Sequence, residues 1–122
     1  MPQGQIEHVN ISVSDIERSA AFFEKLLGWK PRWRGRTMDG GETIHVGDFA
    51  TYLALHTGGA VQGHSDRGVL NHVGLLVDDL AAADQVVQDH GMKPFGHDDY
   101  EPGRRFYFFD WDGIEFEVVS YE

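Results

Sequence analysis

The chain contains no cysteine, and only 10 of its 122 residues are lysine or arginine against 20 aspartate and glutamate. Without thiols there is no disulfide framework, thiolate nucleophile or thiolate metal ligand, so any metal must be held by nitrogen and oxygen. That absence fits a reducing compartment, and the expected location is cytoplasmic. A formal charge of -10 repels phosphate backbones and anionic lipid. No lysine/arginine cluster stands out that acts against that field, which argues against nucleic acid as a partner. Long apolar runs are missing too: none approaches the roughly 18 residues of a membrane span, and the N-terminus lacks the basic and apolar regions of a secretion signal. The chain reads as soluble and non-secreted, with no membrane partner.

What is present is enough apolar material, 41%, for one domain over residues 1–122 with a real core, and too little chain for two ordinary domains. Within it lies a repeat. HVNISVSDI (8–16) and HVGLLVDDL (72–80) align about 64 residues apart. In both, alternation sets one apolar face, Val9, Ile11 and Val13 or Val73, Leu75 and Val77, against a face carrying His8, Asn10 and Ser12 or His72, Gly74 and Leu76.

Each strand is followed by a helix start. Ser14 and Glu17 form an S-x-x-E capping box, Asp78 or Asp79 can cap the second helix, and Ile16, Ala20, Phe23, Leu27 and Leu80, Ala83, Val87 keep helical spacing. GWKP (28–31) and GMKP (91–94) then supply a glycine for a left-handed cap and a proline that forbids continuation. Strands are expected near 31–37, 42–47 and 50–57, and near 93–97, 104–110 and 113–121. The halves are thus two βαβββ modules, about 4–57 and 69–122, joined by the turn-rich segment 57–68.

The last strand is DWDGIEFEVV (110–119), where Ile114, Phe116 and Val118 share one side and Glu115 and Glu117 the other. If duplicated modules pack about a pseudo-twofold axis, His8 and His72 converge, and one of these glutamates joins them. Two imidazoles and a carboxylate with open positions suit Fe(II), Mn(II), Zn(II) or Ni(II). A histidine or acidic residue on a single strand would ordinarily be a plain surface residue. The exact repetition of the histidine is what singles this set out. Carrying the repeat on at an offset of about 63 places Glu117 against Ala54.

These motifs resemble the vicinal oxygen chelate superfamily, which includes glyoxalase I, extradiol ring-cleaving dioxygenases, methylmalonyl-CoA epimerase, fosfomycin resistance enzymes and bleomycin resistance proteins. The likeness runs through IEHVNISVSDIERSAAFFEKLLGW (6–29), HVGLLVDDL (72–80) and FYFFDWDGIEFE (106–117). It implies an α+β fold of two βαβββ modules forming an incomplete barrel around a metal. The closing motif is similar to the family's F-x-D-P-D-G-x-x-x-E, and the count from Gly113 selects Glu117 over Glu115 as the ligand. The resemblance therefore implies His8, His72 and Glu117 as metal ligands, a small-molecule substrate and a homodimer.

Two departures bear on chemistry. Trp111 replaces the usual proline of the turn, and Ala54 stands where glyoxalase I-like members supply a fourth, acidic ligand. Three protein ligands resemble instead the ring-cleaving dioxygenases and fosfomycin-modifying enzymes. His56, one pleat along from Ala54, is an alternative fourth group or a pocket residue. Tyr107 is the candidate catalytic accessory, because FYFFDWDG is similar to the extradiol signature. Arg104 and Arg105 could clamp an anionic substrate group. Of Trp29, Trp33, Phe49 and Tyr52, all candidates for an aromatic pocket, Tyr52 shares Ala54's face and is the substrate-binding choice. The expected function is a metal-dependent enzyme that chelates vicinal oxygens of a small substrate as a lyase, ring-cleaving dioxygenase or thiol transferase. The alternative is a metal-free binding protein like the bleomycin resistance members. Substrate, metal identity and the pairing of modules within or between chains stay open at this level.

Overall fold

A computed structural model of the chain describes residues 6–37, 40–58, 70, 72–98 and 103–121. The chain divides into two compact units, Met1–Gly63 and His64–Glu122. The first contains β1 (His8–Ser12), α1 (Ile16–Leu27), β2 (Lys30–Arg36), β3 (Gly41–Gly47) and β4 (Tyr52–Gly58). The second contains β5 (Val73–Leu76), α2 (Leu80–Asp89), β6 (Phe95–Asp98), β7 (Arg104–Phe109) and β8 (Glu115–Ser120). Most of the connecting segment read from the sequence lies outside the described residues.

Each unit is a βαβββ module with an open four-stranded mixed sheet. The orders are β1-β4-β3-β2 and β5-β8-β7-β6. In each, the first strand pairs parallel with the last and the other pairings are antiparallel. The helical crossover sets the second strand of each unit parallel to the first, and two antiparallel steps from there bring the last strand parallel to the first as well.

In the first unit Ile11, Ile44, Val46, Leu53 and Leu55 are buried, as are Phe22, Phe23 and Leu26 of α1. That Arg34, register partner of Ile44, bonds to Glu17 of α1 identifies this apolar face as the helix side. In the second unit Leu75, Phe106, Phe108, Phe116 and Val118 are buried along with Ala83 and Val87 of α2. Each fully buried phenylalanine contributes roughly 2–3 kcal/mol of transfer free energy. With one sheet face in the core, alternation sends the remaining side chains of every strand to the other face, and both candidate clusters lie there.

The helix boundaries differ in one detail from the capping box expected at Ser14. Asp15 is the N-cap, extended at φ -143, ψ 97, and its carboxylate accepts the Arg18 amide. Ser14 Oγ instead accepts from the Arg18 guanidinium. A charged acceptor one residue later answers the helix dipole better than a hydroxyl. Asp79 caps α2 in the same way. Gly28 closes α1 with φ 73. Past α2, Gly91 at φ 84 donates to Gln88 while Met92 donates to Val87, the paired bonds of a Schellman stop.

The edge strand β2 also differs from expectation. KPRWRGR is exposed along nearly its whole length and carries Lys30, Arg32, Arg34 and Arg36, a basic run in an acidic chain. Its charge is largely absorbed locally. Lys30 pairs with Glu24, Arg34 with Glu17, and Arg32 sits over the Tyr52 ring. Charges on an open edge also discourage strand-to-strand aggregation.

Candidate functional site

In the second unit the helix-free face collects His72, Gly74, Arg105, Tyr107, Glu115 and Glu117. Tyr107 is the direct register partner of Glu117 across β7 and β8, and Gly74 is its partner across β5 and β8. Glycine at 74 leaves the space above β5 open, since a Cβ built there meets nothing within 4 Å. The Glu117 carboxylate is held at both oxygens: Oε1 lies 3.1 Å from His72 Nε2, and Oε2 accepts from Arg105 Nη1 at 2.9 Å. Both Glu117 and Arg105 side chains are largely buried, 14% and 12% exposed, whereas His72 is 33% exposed. The Tyr107 ring stands perpendicular to the His72 imidazole, with centroids 5.9 Å apart.

In the first unit the equivalent face carries a row of rings across all four strands. His8 stacks on Tyr52 at 4.9 Å, Tyr52 on His45 at 4.5 Å, and Trp33 lies 5.0 Å from His45. His8 Nδ1 is 2.9 Å from Glu7 Oε1. Metal-binding histidines are commonly oriented in this way, with a carboxylate on the second ring nitrogen. The His45 imidazole is held below its ordinary 6.5 first by burial, then by electrostatic repulsion from His8 and Arg32, with Glu7 opposing.

The structure thus brings His72, Glu117, Arg105 and Tyr107 together in one unit, and His8 and Tyr52 in the other. Arg104 departs from the expected substrate clamp. As β7 alternates, it points to the α2 side of the sheet, opposite Arg105, and lines an open cleft of about 760 Å³ with Asp78, Asp79, Asp84 and His97. His97 is tied to Asp84 at 2.6 Å and stacks on Phe106, away from Glu117. The His56 ring engages Thr37 Oγ1 at 3.2 Å. Phe49 is fully exposed, while Trp29 packs on Phe23 at the end of α1. Two residues passed over in the sequence belong to these faces: His45, facing Ala54 in register, and Arg32 above Tyr52. The alternation TIHV (43–46) carried the signal for His45, since it shares parity with Thr43 on a strand whose Ile44 and Val46 are core residues.

The register also fixes the internal equivalence of the two units. Ala54 pairs with Asn10 and with His45, as Glu117 pairs with Gly74 and with Tyr107. The model of the Glyoxalase/Bleomycin resistance protein/Dioxygenase superfamily matches residues 5–118. The chain belongs to that superfamily. Among solved structures, it is similar to a glyoxylase/bleomycin resistance protein/dioxygenase domain from Frankia sp. EAN1pec, with 20% identity, 98% of each chain covered and a TM-score of 0.81. It is also similar to the fosfomycin resistance protein FosX from Mesorhizobium loti, with 21% identity over 98% of this chain and 92% of that one and a TM-score of 0.76. A third similar structure is the E126Q mutant of FosX from Listeria monocytogenes complexed with Mn(II) and 1S,2S-dihydroxypropylphosphonic acid. It shows 17% identity over 98% of this chain and 93% of that one, with a TM-score of 0.76. No curated protein matched.

Members of the superfamily raise the question of a metal. Within either unit, no group of three or more histidine, aspartate or glutamate side chains is gathered for an ion among the described residues. The second unit supplies two donors. Their 3.1 Å separation is that of neighbouring ligands in one coordination shell, about 3.0 Å for metal–ligand bonds of about 2.1 Å at a right angle. Nitrogen plus carboxylate oxygen is a donor pair that fits a borderline divalent ion. No helix among the described residues is long and apolar enough to cross a membrane.

Proposed function

We propose that the chain is a metal-dependent enzyme that binds adjacent oxygens of a small substrate, with His72 and Glu117 as two protein ligands and His8 as the third. The observation that carries the reading is the contact of His72 Nε2 with Glu117 Oε1 on the open face of the second sheet. His8 enters on the strength of the internal repeat, and Glu7 on its Nδ1 leaves Nε2 as the ring nitrogen to ligate.

A divalent ion held by these residues would supply Lewis acidity to the two chelated oxygens. The chain's own groups do the rest. Arg105 fixes the Glu117 carboxylate through Oε2. Tyr107, opposite Glu117 in register and edge-on to His72, is the proposed proton-handling group. Tyr52, ringed by His8 and His45, is proposed to line the substrate pocket. Ala54 offers only a methyl group at the position equivalent to Glu117, so three protein ligands leave positions for a bidentate substrate.

Elemental analysis after reconstitution with Fe(II), Mn(II), Zn(II) and Ni(II) tests the reading: close to one ion per chain is expected, and His72→Ala should remove it. Mn(II) is the first ion to try, given the FosX complex with Mn(II) and a vicinal dihydroxy phosphonic acid. A screen of catechols under air, hemithioacetals and fosfomycin with a thiol or water would then assign the chemistry. One observation favours a second reading, a metal-free small-molecule binding protein: Arg105 already neutralises Glu117. Failure of every ion to bind would select it. The chain is further proposed to act as a cytoplasmic homodimer.

A further inference from the structure

The Glu117 carboxylate shares its charge with a resident cation. Arg105 Nη1 donates to Oε2 at 2.9 Å, while His72 meets Oε1 at 3.1 Å, so the two oxygens face different partners. Arg105 stands on β7 opposite Val119, two residues from Tyr107, the direct partner of Glu117. Its guanidinium therefore reaches Glu117 diagonally across the sheet, on the same face. A guanidinium keeps its charge across the whole working pH range. Because both side chains are largely buried, solvent ions screen the pair less than they would a surface pair. Removing either partner alone would take one charged contact away from a largely buried group, which favours keeping the pair.

We infer that Arg105 is a positioning residue with two effects: it reserves Oε2, confining Glu117 to one-oxygen ligation through Oε1, and its fixed charge weakens the hold on any divalent ion there. The carboxylate is then already compensated before an ion arrives, so the ion-free protein keeps an intact site and the ion is exchangeable. A neutral residue at 105 would free Oε2 and remove the opposing charge. The inference rests on the metal-site reading above.

The test is calorimetric titration of Mn(II) and of Zn(II) into the full-length ion-free protein and its Arg105→Gln, Arg105→Met and Arg105→Lys variants, with His72→Ala as a control and circular dichroism to confirm folding. Gln and Met should bind at least about tenfold more tightly than the wild type, and Lys should stay within about threefold of it, because it retains the charge. A merely structural role predicts the opposite, weaker binding in all three. Two neutral variants are included so that poor folding of one leaves the comparison standing. Wild-type binding that Gln and Met leave unchanged or weaken, or that Lys tightens equally, overturns the role of Arg105 while the metal site survives. Absence of binding by the wild type and every variant overturns both.

Discussion

Glu7 Oε1 lies 2.9 Å from His8 Nδ1, so the residue just before β1 fixes the ring that the sequence repeat marks as a ligand. If Nε2 of that ring ligates, loss of the carboxylate frees the imidazole to rotate and lowers its basicity. Glu7→Gln should weaken divalent-ion binding by about tenfold with little change in folding. Equal affinities for wild type and variant in a calorimetric titration would show that Glu7 is only a surface partner.

The cap of α1 separates two neighbouring residues. Asp15→Ala removes the acceptor of the Arg18 amide and should cost about 1 kcal/mol in urea unfolding, whereas Ser14→Ala removes the exposed acceptor of the Arg18 guanidinium and should cost a few tenths. A larger loss for Ser14→Ala would return the cap to the S-x-x-E pattern.

Phe106 is completely buried on the α2 face of β7. Phe106→Ala should destabilise the chain by about 3–5 kcal/mol through lost transfer energy and a cavity. Its neighbour Tyr107 lies on the other face, so Tyr107→Phe should unfold almost where the wild type does and act on turnover instead. Similar unfolding midpoints for Phe106→Ala and the wild type would contradict the assigned faces.

His45 gives a pH dependence with a definite sign. Its imidazole is held below 6.5 in the fold by burial and by electrostatic repulsion from His8 and Arg32. As pH falls below 6.5, the unfolded chain takes up a proton at His45 that the folded chain resists, so stability falls toward acid and levels off above 6.5. In the ion-free protein, His45→Asn should flatten this acid limb between about pH 7.5 and about pH 5.5. Parallel stability curves for the two proteins would remove His45 as a source of the slope.

The fold was legible because its signals are local and doubled. Alternation, helical spacing, the glycine stops at 28 and 91 and the likeness of 8–16 to 72–80 each point to the same pair of modules. The N-cap slipped by one residue because Ser14 and Asp15 are both competent acceptors, and backbone geometry at the strand exit chose between them. His45 and Arg32 went unread for a different reason. A polar residue on a short strand joins a site only through its cross-strand neighbours, and pairing with Ala54 and the approach to Tyr52 are matters of register.

The sequence by itself determined the βαβββ repeat, the membership of the superfamily, the alternation of side chains along each strand and the shortlist of donors, because side-chain parity and helix spacing are set by neighbours along the chain. Only the tertiary structure decided that Glu117 is gripped between His72 and Arg105, that Arg104 and His97 belong to the opposite side, and that His8 stands between Glu7 and a stacked Tyr52. Those outcomes depend on which strands lie side by side and in what register, and on which of several charged partners a carboxylate meets once it is drawn out of water.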